Sequence, residues 1–321
     1  MERKYVEQMR IHAGMSVGEL VDEMGKAGVF GAGRVSKGAE IYERILSDKE
    51  ILKPVGVAGA LVPGGLRKVI RDLVENRMVD ILVLTGANVT HDLVEASGWK
   101  HERDITSVGD AALREMRINR IFDAFVRDEA FEELESKLKE YFTSIDQDKR
   151  RQGLGSYELL REIGLMLDDD ESILRTAARN RTLIFCPAIF DSILGLHIWI
   201  YSQQNDLRVD LRKDLQKMID TYFESKRIGA VFLGGGVPKN YILQSAMLTG
   251  KALDYAIQIT MDRPEPGGLS GASLQEAQSW GKVKPEAEWV DVIGDATIAF
   301  PLIVAAAMER LEKSREESKI E

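Results

Sequence analysis

Short apolar, β-branched runs bounded by glycine recur at Val55 to Val62, Val79 to Thr85, Thr182 to Cys186, Gly229 to Leu233 and Asp254 to Thr260. Runs of this length without polar alternation predict strands buried on both faces. Between them the apolar spacing becomes that of a helix face, as in Leu66, Val69, Ile70, Leu73 and Val74, and again in Leu211, Leu215, Met218, Ile219 and Tyr222. Strand and helix alternating in this way predict an α/β doubly wound fold, a mostly parallel sheet with helices on both faces. Charge-rich helical sequence from about residue 126 to 180, including Glu132, Glu133 and Lys137, breaks the rhythm and predicts a helical insertion on the sheet rather than a separate unit. Two prolines and two glycines between Arg263 and Gly268 suit neither helix nor central strand and predict an irregular loop. The charged tail from Arg310 to Glu321 is expected to fray.

Composition narrows the function classes. With 321 residues and 44% apolar content the chain can build a sizeable core. A net charge of -9 argues against a broad basic surface for nucleic acid or anionic lipid. The single Cys186 excludes an internal disulfide and is compatible with a reducing compartment. No long apolar run reads as a membrane span, and the first residues do not lead into a signal-peptide core, so a soluble cytoplasmic protein is expected. No metal-ligand cluster is evident.

Two glycine loops each follow a predicted strand and open a predicted helix: Thr85-Gly86 and Gly234-Gly235-Gly236. Ala58-Gly59-Ala60 with Gly64-Gly65 forms a third. Successive glycines before a helix expose backbone N–H groups to phosphate, and three such loops in one α/β chain favour a dinucleotide, although none matches G-x-G-x-x-G strictly. Asp295 opens the last predicted helix, where it can serve as an N-cap or bond a ligand hydroxyl or amide.

The segment from Ser270 to Lys282 carries the most chemistry. An amine set beside a large indole, here Lys282 near Trp280, after a glycine that permits close backbone approach, is a way to desolvate a lysine and favour its neutral form. Neutral lysine attacks imines and carbonyls. An exposed lysine after a turn is the plainer reading of this window taken alone.

With Gly234-Gly235-Gly236-Val237-Pro238-Lys239, Ser270-Gly271-Ala272 and Ser279-Trp280-Gly281-Lys282 in view, the chain resembles the deoxyhypusine synthase family. Arg71 to Asp80, Ile118 to Ile121, Pro187-Ala188, Asp191, Gly294-Asp295-Ala296 and Phe300-Pro301-Leu302 fall in family order, so the resemblance covers roughly residues 10 to 310. It implies a single Rossmann-like domain in a homotetramer whose sites form between paired subunits. It further implies that NAD oxidises spermidine, that the aminobutyl group is held on the motif lysine, and that the group passes to a lysine of translation initiation factor 5A. Lys282 would then form the imine, Trp280 would line the amine tunnel, and Glu276 would bond an amine end, with Ser270 in the same loop. Thr85, Gly86, Asp191, Gly234, Gly235, Gly236, Asp295 and Ala296 would contact NAD.

Departures cluster on the substrate side. Where the family has Asp-Gly-Ser-Asp-Ser-Gly, this chain has Pro266-Gly267-Gly268-Leu269-Ser270-Gly271, and Leu269 cannot hold an ammonium. A second amine-binding acid corresponds to Leu196, the family's proton-moving histidine to Asn240, and its acid pair to Thr90-His91. An amide cannot replace imidazole as a base near neutral pH. Losing two charge-assisted hydrogen bonds weakens binding by about 3 to 6 kcal/mol, roughly a hundred- to ten-thousand-fold. The expectation is therefore transfer through Lys282 from an amine with fewer charges or a differently placed charge, with His91 or His197 as substitutes in proton transfer. The alternatives are transfer between small amines, as in homospermidine synthases, or a catalytically silent NAD-binding scaffold.

Overall fold

A computed structural model describes residues 4–103 and 108–320. The described strands are β1 Ile51–Leu52, β2 Pro54–Val57, β3 Ile81–Leu84, β4 Ile118–Ile121, β5 Ala124–Arg127, β6 Leu183–Phe185, β7 Arg227–Leu233, β8 Leu253–Thr260 and β9 Val283–Ile293. Each of the five expected strand regions contains an observed strand. The Val55 run is shorter than expected, because Val62–Leu66 closes into a π-helical turn that carries Pro63 and Gly64. The sequence reading missed β9, which begins directly after Lys282. Its charges at Lys284, Glu286 and Glu288 interrupt the apolar run, and of its eleven residues only Val283, Val290 and Val292 are buried.

The chain forms two compact units, one made of residues up to Gly56 together with Ile219 onward, the other of Val57–Met218. In the first unit the strand order is β2-β7-β8-β9, with β1 also pairing β7. The pairs β1·β7, β7·β8 and β8·β9 are parallel, with Val231 opposite Ile257 and Ile257 opposite Val290. Helices Val17–Ala27, Phe30–Ser47 and Ala296–Ile320 pack on one another, and the latter two also on β8. The first is closed by a capping box in which the Ser16 side chain accepts from Glu19 N and Glu19 accepts from Ser16 N. The last helix continues through the charged segment expected to fray, as far as Ile320, while Glu321 and the first three residues lie outside the described range.

In the second unit β3 and β6 are parallel, β4 and β5 form an antiparallel hairpin, and helices Asp128–Ser144, Gln147–Gln152, Ser156–Met166 and Ile173–Asn180 make up the charge-rich helical segment. A buried ionic knot holds this unit. Arg67 Nε donates to Asp92 Oδ1 at 2.7 Å and its Nη2 to Asp169 Oδ2 at 2.7 Å. Asp92 also accepts from Ser172 Oγ and from the backbone N–H groups of Ile173 and Leu174, which open helix Ile173–Asn180. A carboxylate at a helix N-terminus satisfies donors that have no partner within the helix. The fold is α/β, parallel strands alternating with helices, as the hydrophobic pattern predicts.

Candidate active site

The site in the first unit is assembled by turns at the ends of neighbouring parallel strands. After β7 the chain passes through Gly234 and Gly235 into helix Gly236–Thr249. A Cβ on Gly235 would stand 2.4 Å from the Cα of Ser270, so glycine is required by the close approach of that second backbone. After β8 the chain enters the expected irregular loop and reaches helix Leu274–Ser279. Ser273 Oγ accepts from Glu276 N at 3.1 Å, and both Asp291 carboxylate oxygens accept from Leu274 N at 3.2 Å. Burial of Leu274 and Ala277 seats this short helix. Gly281, at φ 66°, turns the chain back in the left-handed conformation that favours glycine. Lys282 N then donates to Ala277 O at 3.0 Å, and Lys282 O accepts from Leu253 N at 3.0 Å, which ties the lysine backbone to the start of β8.

Lys282, Trp280, Glu276, Asn240, Leu269 and Lys239 line one cavity of about 250 Å³. The Lys282 ammonium lies 5.3 Å from the Trp280 ring centroid, a cation–π distance. Trp280 is 61% exposed, so its indole faces the amine without walling it off from solvent. Ser270 lies behind this wall, and its carbonyl accepts from Gln258 Nε2 at 2.8 Å.

The desolvated lysine is Lys239, which the sequence reading left unassigned. It is 3% exposed in the first turn of helix Gly236–Thr249. Its Nζ donates to Gln258 Oε1 at 2.9 Å, to Leu269 O at 3.2 Å and to Ala272 O. Burial pulls its pKa down to about 8, with Lys282 acting in the same direction and Asp291 and Glu276 opposing it. Two signals in the sequence could have found it. Gln258 is a lone amide within an apolar strand, and Lys239 puts a cation where the helix dipole favours anions.

The other residues singled out from sequence fall into two groups. Asp295 caps the last helix: its Oδ1 accepts from Thr297 N and Thr297 Oγ1, each at 2.8 Å, and one residue, Gly294, separates it from the end of β9. In the second unit Thr85 caps helix Gly86–Ala96, and Gly86 packs so closely on Ser192 that a Cβ there would meet the serine Cβ at 2.4 Å. That packing sets the Thr85-Gly86 turn beside exposed Asp191. Leu196 is 57% exposed on helix Ile193–Ser202. His91 is buried, with its Nδ1 2.9 Å from His101 Nε2, and His101 Nδ1 is 2.9 Å from Glu95 Oε1. Burial first, and His101 second, pull the His91 pKa down to about 4, so it is neutral near pH 7. Burial also lowers the pKa of half-buried His197. Among the described residues no cluster of His, Cys, Asp or Glu is arranged to hold a metal ion.

Parallel strands delivering glycine turns and a lysine-lined cavity define an α/β protein with a site at its strand ends. The family profile of deoxyhypusine synthase matches residues 19–307. "Probable deoxyhypusine synthase 1" of Methanosarcina acetivorans is 47% identical over 308 residues, 96% of each chain. "Probable deoxyhypusine synthase" of Methanothermobacter thermautotrophicus is 46% identical over 306 residues, 95% of this chain and 98% of that one. A crystal structure from Entamoeba histolytica, assigned to the same enzymes, superposes with a TM-score of 0.65 at 23% identity, over 91% of this chain and 93% of that one, a likeness of fold. The chain belongs to the deoxyhypusine synthase family.

Proposed function

We propose that this protein is an NAD-dependent aminoalkyl transferase of deoxyhypusine synthase type that carries the transferred group as an imine on Lys282. The observation that supports the reading best is the placement of Lys282 in one cavity with Trp280 and Glu276, on a backbone tied to both helix Leu274–Ser279 and β8. Helices Gly86–Ala96, Gly236–Thr249 and Ala296–Ile320 each begin just after a parallel strand, which fits the way α/β sheets take dinucleotides. Gly234, Gly235, Gly236, Asp295 and Ala296, together with Thr85, Gly86 and Asp191, are the proposed NAD contacts. NAD would accept a hydride from the donor amine's carbon and later return it.

The chain's own residues do the rest. Lys282 adds through Nζ to the C=N carbon of the oxidised donor. The bond from that carbon to the donor nitrogen of the former C=N then breaks, and the freed amine leaves with a proton given up by Nζ while the aminoalkyl group stays on Lys282 as an imine. An acceptor amine then displaces Lys282 by the same exchange, which frees the lysine amine and leaves a C=N bond to the acceptor nitrogen that the bound cofactor would reduce. Glu276 holds the ammonium end of the donor, and the Trp280 face packs on its methylenes. The family relation supports spermidine as donor, a lysine of translation initiation factor 5A as acceptor, a homotetramer and a cytoplasmic location. No described helix is long and apolar enough to cross a membrane.

The test is intact mass after incubation with NAD and a panel of di- and polyamines, followed by borohydride reduction, with Lys282→Ala alongside. An adduct on the wild type alone is expected, and its mass names the transferred group. No adduct with any amine, or an equal adduct on Lys282→Ala, would overturn the lysine-imine reading.

A further inference from the structure

Lys239 has no part in the steps above, yet its environment is costly. Its ammonium is buried in a first helical turn, where the macrodipole disfavours a cation, and its three acceptors are all neutral oxygens. Those acceptors explain the arrangement. Lys239 Nζ holds the carbonyls of Leu269 and Ala272, and Gln258, itself bonded to Lys239, holds the carbonyl of Ser270. The loop they grip has few bonds of its own, among them Gly267 N to Pro264 O and Ala272 N to Gly268 O. It leads within two residues into helix Leu274–Ser279, which bears Glu276 and delivers Trp280 and Lys282.

We propose that Lys239 and Gln258 form a buried clamp on the backbone of residues 269 to 272, and that Lys239 is thereby a positioning residue for transfer through Lys282. The inference rests on the reading that Lys282 carries the aminoalkyl group. The clamp fixes the cavity wall in the free enzyme, so the donor amine meets Glu276, Trp280 and Lys282 already placed. An ammonium is suited to the task because it offers three donors to three oxygens, whereas a neutral amine turns a lone pair toward one of them. The charged groups facing Lys239 are Asp291 of β9, Glu276 of helix Leu274–Ser279, and Lys282. Burial, partly opposed by Asp291 and Glu276, leaves it titratable near pH 8, and above that value the loss of one of its three N–H donors loosens the clamp.

Two measurements test this: amide hydrogen exchange of residues 269 to 272 without substrate, and steady-state kinetics with the donor amine identified by trapping. Lys239→Met and Gln258→Leu should each speed exchange in this segment by at least about tenfold, as loss of hydrogen bonds to a buried carbonyl implies. Each should raise the amine KM by at least about tenfold with a smaller change in kcat, and borohydride should still trap the group on Lys282 at saturating amine. The double variant should lose little more than the worse single variant, because both side chains hold one segment. In the wild type, protection of residues 269 to 272 should fall between pH 7 and 9 more than that of other loops, a readout that needs no variant to fold. Unchanged exchange in Lys239→Met together with pH-independent protection would overturn the clamp. Faster exchange with unchanged KM would overturn its link to the reaction. If the wild type traps no amine, the transferase reading fails and the positioning role fails with it, while exchange still decides whether the clamp exists.

Discussion

Substituting Lys239 by methionine should remove one specific contribution to the pH dependence of stability. The folded-state pKa of this lysine is about 8, against an ordinary value of 10.5, with burial as the main cause. A lysine whose pKa is depressed by folding releases its proton first in the folded chain. The cost of burying its charge is therefore fully present below about pH 8 and is relieved as pH climbs toward 10.5. For these two values, linkage makes the wild type about 2.5 kcal/mol more stable at pH 10 than at pH 7 through this group alone. Other lysines and tyrosines titrate over the same range, so the informative quantity is the stability difference between wild type and Lys239→Met at each pH. Urea unfolding at pH 7, 8, 9 and 10 measures it. The difference should move in favour of the wild type by about 2.5 kcal/mol across the series. Its sign at pH 7 is a separate matter, since methionine leaves the oxygens of Gln258, Leu269 and Ala272 without this donor, at about 1–3 kcal/mol for each that water cannot reach. A difference flat to within about 0.5 kcal/mol from pH 7 to 10 would refute the reasoning, because a lysine titrating normally gains nothing over this range.

Two further predictions follow from buried or missing carboxylates. Burial raises the pKa of Asp214 to about 6 from 3.8, so its charge destabilises the fold above about pH 6 and the cost is relieved as pH falls toward 3.8. Relative to Asp214→Asn, the wild type should thus gain about 2 kcal/mol between pH 7 and pH 4.5 in unfolding experiments, and a pH-independent difference would contradict this origin. Leu269→Asp adds a carboxylate to the cavity wall that bears Glu276. One charge-assisted bond of about 1.5–3 kcal/mol should lower KM for a polyamine donor roughly ten- to hundredfold, and an unchanged KM would show that position 269 does not meet the amine.

The sequence by itself determined the α/β class, because buried strands and amphipathic helices differ in the period of their apolar positions, and that period is a local property. It also carried the family, through Ser279-Trp280-Gly281-Lys282 and the glycine loops, and it marked Leu269 and Asn240, both of which line the cavity with Lys282. It did not reveal β9, whose charges disguise a strand paired along only part of its length, with a register shift near Leu253. Nor did it distinguish the two lysines. Proximity of an indole in sequence pointed to Lys282 as the desolvated amine, but Trp280 is largely exposed, and the lysine taken out of water is Lys239. Burial of a charge depends on which distant backbone arrives against it. Residues 269 to 272 reach Lys239 only through the pairing of β7 with β8 and the packing of Ser270 on Gly235, contacts between segments some 30 residues apart that no local pattern records.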